Sequence, residues 1–166
     1  MRTLILMRHA KSSWGAPELA DHDRPLNGRG RTSARAMGRW LKRHGYLPDA
    51  VLCSSALRTR DTFERLQIDA PVRFTPHLYH ANPAELLQVL RGAEAPCVLM
   101  LGHNPGIAGF ARSLLRSPPA HPRFDDYPTC ATLVATLDLS TWAEIDWQTA
   151  NVTDFAIPRE VIAEES

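Results

Sequence analysis

Thr3-Leu4-Ile5-Leu6-Met7-Arg8-His9 is the stretch that decides the fold. Its apolar residues run without alternation, which predicts a strand covered on both faces, as at the centre of a parallel sheet. The run then stops at two large polar side chains. In an open α/β sheet the ligand-facing edge lies beyond the carboxyl ends of the strands, so a guanidinium and an imidazole at that point need a chemical reason. One task suits the pair: holding a phosphate while a ring nitrogen attacks its phosphorus.

Outward from that strand the chain alternates. Strands are predicted over Thr3–Met7, Ala50–Cys53, Val72–Thr75, Cys97–Leu101, Ala131–Leu137 and Ala143–Trp147. The last two are richer in polar residues and read as antiparallel or edge material. Helices are predicted over Arg31–Arg43, Ala56–Leu66, Pro83–Arg91 and Pro105–Leu115. In the last, Ile107, Phe110, Ala111, Leu114 and Leu115 recur at helical spacing, with Asn104 as N-cap and Pro105 at the first helical position. Asn82-Pro83 repeats the device, with Glu85 completing a capping box. Alternating strands and helices predict a three-layer α/β/α fold with a mostly parallel central sheet. Ser13–Gly30 and Ser117–Pro128 are irregular, and residues 160–166 are expected to fray.

With 166 residues the chain is expected to form one domain, 1–166, burying roughly 70% of its unfolded surface. A net charge of +1 gives no global case for nucleic acid or an anionic membrane. The three cysteines, Cys53, Cys97 and Cys130, are widely spaced and form no C-x-x-C pair, which argues against zinc and dithiol chemistry. They favour a reducing, cytoplasmic setting. The apolar run Leu4–Met7 is too short for a signal peptide or a membrane span.

Three strand ends carry related cargo. The first ends in Arg8-His9. The second runs into Ser54-Ser55 and a helix opening with Ala56-Leu57-Arg58. A third ends in Gly102-His103 and leads into the helix after Asn104. Side by side in a parallel sheet, these corners gather two arginines, two histidines and two helix N-termini at one edge. Arginines and backbone alone suffice for a phosphate receptor; a neutral histidine adds a nucleophilic nitrogen, and a second one a donor for developing charge. No carboxylate cluster suited to Mg²⁺ is evident, and no cofactor is expected.

Met7-Arg8-His9-Ala10, Ser54-Ser55-Ala56-Leu57-Arg58-Thr59 and Leu101-Gly102-His103-Asn104-Pro105-Gly106 together resemble the motifs of the histidine phosphatase (phosphoglycerate mutase-like) superfamily, in order and spacing. The short length, Arg8-His9-Ala10-Lys11-Ser12, and Asp23-Arg24-Pro25-Leu26 with Arg29-Gly30 most resemble its SixA-type phosphohistidine phosphatases. The resemblance implies that His9 is the nucleophile of a two-step hydrolysis, that Arg8 and Arg58 clamp the phosphate, and that His103 stabilises the transferring group. The substrate is then a phosphorylated protein carrying phosphohistidine, or a small phosphorylated molecule.

The chain also departs from its relatives. The mutase-like branch commonly has Gly where Ala10 stands, and an Asn shortly afterwards; here Trp14-Gly15 stands in that stretch. The acid phosphatase branch has Asp where Asn104 stands. Many relatives carry Glu where His80 falls, so His80 is the candidate proton donor. An alkoxide leaves phosphorus poorly without a general acid, whereas an imidazole nitrogen protonates near neutral pH. The lack of an obvious carboxylate therefore favours a phosphohistidine substrate. Lys11, Ser12 and Arg24 are candidates for the mouth of the site, while His22, His44 and His121 read as surface residues. His77 and His80 have H-x-x-H spacing but no third ligand, so no metal is expected. The alternatives are a phosphomonoesterase for a small metabolite and a non-catalytic phosphoprotein-binding module.

Overall fold

Burial on both faces explains the unbroken apolar run of the first strand. In the computed structural model, which describes residues 1–166, β1 (Arg2–Arg8) sends Leu4 and Leu6 into one core and Ile5 and Met7 into another. The first core lies beneath α3 (Pro83–Arg91) and α4 (Gly106–Leu114). The second lies beneath α1 (Gly28–Arg43) and its neighbours α2 (Leu57–Leu66) and α5 (Pro158–Glu165). All four of those β1 side chains have no exposed surface.

The sheet has six strands in the order β3-β2-β4-β1-β5-β6. β2 is Ala50–Ser54, β3 Val72–Thr75, β4 Cys97–Gly102, β5 Thr132–Leu137 and β6 Asn151–Ala156. The first four strands of that order run parallel; β5 and β6 pair antiparallel. The sheet is thus mixed and mostly parallel, with helices on both faces.

Register sets the functional edge. Arg8 pairs with Gly102, Cys53 with Leu101, and Ser54 with Thr75, so the carboxyl ends of β1, β4, β2 and β3 finish at nearly the same level. Residues just past those ends share one rim.

Two expected elements differ. Ala143–Trp147 is not a strand: the chain makes a short 3-10 turn at Trp142–Glu144, capped reciprocally by Thr141 and Glu144. Trp142 is fully buried there, and its indole N–H donates to the Ala95 carbonyl at 2.6 Å. The sixth strand comes later, as Asn151–Ala156. The expected fray at 160–166 is also not seen, because α5 runs to Glu165. Pro158 opens that helix, Val161 is buried, and the Glu165 carboxylate is held by Arg39 and Arg43 at 2.8 and 3.0 Å.

Helix starts shift as well. α1 begins at Gly28 rather than Arg31, capped by Asn27, whose side chain accepts the Gly30 N–H at 2.8 Å. α4 begins at Gly106 after Pro105 at the cap position, so Asn104 sits one residue outside it. Its Oδ1 still accepts the Ala108 N–H at 3.2 Å.

Candidate functional site

Each element delivers its polar residue to the rim for a local reason. His9 follows β1, and its peptide is fixed on three sides. Its N–H donates to the Gly102 carbonyl, its own carbonyl accepts from the Cys130 N–H, and the Ala10 N–H donates to Thr62 Oγ1 at 3.0 Å. Arg8 donates through Nη1 to the Tyr127 carbonyl at 3.2 Å. That carbonyl also accepts from Asn104 Nδ2, at 3.0 Å, so Asn104 joins the start of α4 to the loop that seats Arg8. Arg58 occupies the first turn of α2, where Thr59 Oγ1 bonds back to the Ser54 carbonyl at 2.8 Å.

Arg8, His9, Arg58 and His103 come together as expected from the strand ends. The rings of His9 and His103 lie 5.2 Å apart. Burial of His9, Arg58 and His103 leaves each with under a tenth of its surface exposed. His9 Nδ1 lies 2.7 Å from the Ala10 carbonyl oxygen. A carbonyl only accepts, so Nδ1 carries the proton and Nε2 keeps the lone pair. Burial, reinforced by the charges of Arg8, Arg58 and Arg24, pushes the His9 pKa down to about 3 despite the bond to Ala10. Burial, then the neighbouring His9 and Arg58, push His103 down to about 2. Both rings are neutral at pH 7.

The arrangement has unused donors. Arg8 Nε, Arg58 Nε, Arg24 Nε and Nη1, and His103 Nδ1 are buried without a protein partner. Buried polar groups are ordinarily satisfied, and such a concentration of orphan N–H groups suits an anion. His103 Nε2 is 2.7 Å from Ser54 Oγ. With the Ser54 hydroxyl donating to Nε2, the His103 proton resides on Nδ1, ready to donate.

The expected absence of a carboxylate is corrected. Asp21, in the irregular segment before α1, reaches the site. Its carboxylate contacts Arg58 Nη2 at 3.1 Å, Arg24 Nη2 at 3.2 Å and His80 Nε2 at 3.2 Å, and accepts from the Tyr79 hydroxyl. Arg58 Nη1 also donates to the Asp21 carbonyl at 2.8 Å. The bonds from Tyr79 and His80 and the charge of Arg58 hold Asp21 well below the usual carboxylate range. It is a fixed anion, not an acid. The sequence carried a faint signal for it: Asp21 lies three residues before Arg24, the spacing of a local ion pair.

The remaining candidates separate. His80 is at the site, its ring parallel to that of His103 with centroids 6.0 Å apart. It has a φ of 54°, which is uncommon for a residue other than glycine. The approach behind it is tight: a Cβ on Gly106 would meet the Ala81 carbonyl oxygen at 2.0 Å, so only glycine lets α4 begin against the segment carrying His80. Arg24 is buried beside Asp21, with its guanidinium 3.6 Å from the centre of the exposed Trp14 ring. Ser12 is buried and pairs through its backbone with Leu26. Lys11 is exposed and lines a neighbouring groove. His22 is corrected from a surface residue to a half-buried one, its Nε2 2.9 Å from Ser55 Oγ beside Tyr79. His121 is likewise half-buried, against Glu160 at 2.7 Å, while His44 is exposed. His77 is exposed.

Against known proteins, residues 4–85 match the model of the histidine phosphatase superfamily, branch 1. A Mycobacterium leprae protein of unassigned function is 35% identical over 163 residues, covering 92% of this chain and all of the relative. Among solved structures, a candidate phosphohistidine phosphatase SixA from Nakamurella multipartita superposes with a TM-score of 0.80 at 33% identity, covering 95% of this chain and 96% of that one. A SixA protein from Agrobacterium tumefaciens gives 0.78 at 25%, covering 95% and 99%. The chain belongs to the histidine phosphatase superfamily, and its shape and length are those of the small SixA members. No helix is long and apolar enough to cross a membrane.

Proposed function

We propose that this protein is a phosphohistidine phosphatase that needs no cofactor and works through a covalent phosphohistidine on His9. The observation that carries the reading is the His9 Nδ1 bond to the Ala10 carbonyl, which leaves a neutral, nucleophilic Nε2 among Arg8, Arg58 and Arg24. In the first step Nε2 forms a bond to phosphorus as the P–N bond to the substrate imidazole breaks, and that nitrogen leaves with a proton from solvent or His80. Arg8 and Arg58 hold the non-bridging oxygens, and His103 Nδ1–H donates to the same group as its charge spreads. In the second step water attacks phosphorus, His9 Nε2 departs with the bonding pair, inorganic phosphate carries the added hydroxyl, and the other proton of the water passes to solvent.

The choice of an N–P bond follows from the proton inventory. Asp21 is ionised and engaged with two arginines, so no protonated carboxyl stands beside the leaving group. His80, held by Asp21, is the candidate donor. An imidazole needs such help less than an alkoxide does. Likeness to SixA proteins over nearly the whole chain supports the same reading. The substrate is a phosphorylated protein rather than nucleic acid or membrane.

The deciding experiment compares a phosphohistidine-bearing domain, p-nitrophenyl phosphate and small phospho-sugars, using wild type and His9→Ala. Wild type is expected to act fastest on the phosphohistidine domain, with acid-labile phosphate trapped on His9. Faster turnover of the esters than of phosphohistidine sinks the reading in favour of a phosphomonoesterase. No turnover of any substrate makes the protein a binding module.

A further inference from the structure

Beside the phosphate site lies a second depression, a groove of about 680 Å³ between the first turns of α1 and α5. Lys11, Arg29, Arg123 and Arg159 line it, and no Asp or Glu does. Arg123 is neutralised by Asp126 at 2.8 Å, but Lys11, Arg29 and Arg159 form no ion pair. Two of these cations stand where helix electrostatics disfavour them. Arg29 is in the first turn of α1, which contains no acidic residue, and Arg159 is in the first turn of α5, whose one acidic residue, Glu160, is turned to His121 at 2.7 Å. The partial positive charge of both helix N-termini adds to theirs. Thr32, Ser33 and Thr129 add polar groups, Pro128, Ile157, Pro158 and Ile162 supply the apolar part of the walls, and no aromatic ring is present to stack a base or fill a small-molecule pocket.

The groove adjoins the nucleophile through both of its walls. Lys11 is two residues beyond His9. On the opposite side, Thr129 precedes Cys130, whose N–H donates to the His9 carbonyl at 2.9 Å. A protein that presents a phosphohistidine to His9 therefore lays its neighbouring surface over these cations.

We infer that this groove is the docking surface for the substrate protein and that it selects an acidic segment beside the phosphohistidine; the inference rests on the phosphatase reading above. Docking is charge-driven, so it acts on encounter and retention and leaves the chemistry at His9 alone.

The test uses the double variant Arg29→Glu/Arg159→Glu. Both side chains are exposed, and a carboxylate in the first turn suits a helix, so the change is compatible with folding. Three substrates are compared: a phosphohistidine domain with an acidic surface around its histidine, the same domain with those carboxylates changed to amides, and phosphoimidazole. For the acidic domain kcat/KM is expected to fall at least tenfold, with a shallower dependence on salt. For phosphoimidazole it stays within twofold, and the neutralised domain is slow with wild type and variant alike. Equal loss on all three substrates, or no loss on the acidic domain, overturns the docking surface. If wild type hydrolyses no N–P bond, the phosphatase reading fails separately. Binding of the unphosphorylated acidic domain to His9→Ala, with and without the double change, then decides the groove: lost binding supports it and unchanged binding overturns it.

Discussion

The Asp21 carboxylate rests on Arg58, with Oδ2 3.1 Å from Nη2, so the first residue of the short 3-10 turn Asp21–Asp23 supplies the anion for one of the two guanidinia proposed to clamp phosphate. Arg24 binds the other oxygen of the same carboxylate at 3.2 Å. An incoming phosphoryl group competes with Asp21 for these cations. Asp21→Asn removes the competing charge while keeping the shape, so inorganic phosphate is expected to inhibit the variant more strongly, with Ki lower by about threefold or more. A higher Ki contradicts this and makes Asp21 a residue that positions Arg58 for phosphate.

Buried neutral histidines make the protein acid-sensitive in a predictable window. An unfolded histidine takes up its proton near pH 6.5, whereas His9 and His103 in the folded protein wait until about 3 and about 2. Between those values the unfolded state binds more protons, so stability falls as pH falls and is regained as pH rises to neutrality. From pH 6.5 to 5 each residue contributes a loss of about 2 kcal/mol. Urea denaturation at both pH values is expected to show a smaller pH-dependent loss for His9→Asn than for wild type, and smaller again for the double variant with His103→Asn. Equal losses in all three would contradict the burial argument.

Tyr127 ties β1 to β5. It is fully buried, its hydroxyl donates to the Leu6 carbonyl, and it accepts the Leu133 N–H at 3.0 Å. Tyr127→Phe removes both of these buried bonds, at a cost of about 1–3 kcal/mol. Because the Tyr127 carbonyl also seats Arg8, kcat/KM and stability are expected to drop together. A variant as stable as wild type in urea would refute the buried-bond account.

The parts legible in the sequence are those set by local pattern. The Leu4–Met7 run, the helix period around Phe110 and the three polar strand ends each mark their element without reference to anything distant. What escaped depends on tertiary partners. Ala143–Trp147 looks like a strand because Ile145 and Trp147 pack on the core, but the Trp142 indole just before it reaches Ala95, 47 positions away, and the backbone turns to deliver it. β6 alternates polar residues at a sheet edge, and α5 is a short helix held by Arg39 and Arg43, neither of which leaves a strong apolar signature. Asp21 was missed for the same reason. Its partners Arg58, Tyr79 and His80 lie 37, 58 and 59 positions away, brought close by the shared level of the strand ends.

His80 offers a last discrimination, because a proton donor matters in proportion to how badly the leaving group needs one. Its ring lies parallel to His103, and its Nε2 meets the Asp21 carboxylate at 3.2 Å. His80→Gln keeps a polar side chain but cannot transfer a proton. Alkoxide departure is expected to suffer most, with kcat on small phosphate monoesters falling about a hundredfold, the lower end for loss of a general acid. Phosphohistidine hydrolysis is expected to fall less than about threefold, since the departing imidazole takes its proton from water at neutral pH. Measuring kcat for both substrate classes with wild type and His80→Gln separates the possibilities. A matching loss on both assigns His80 to holding Asp21 and the clamp, and no loss on either removes it from the proton path.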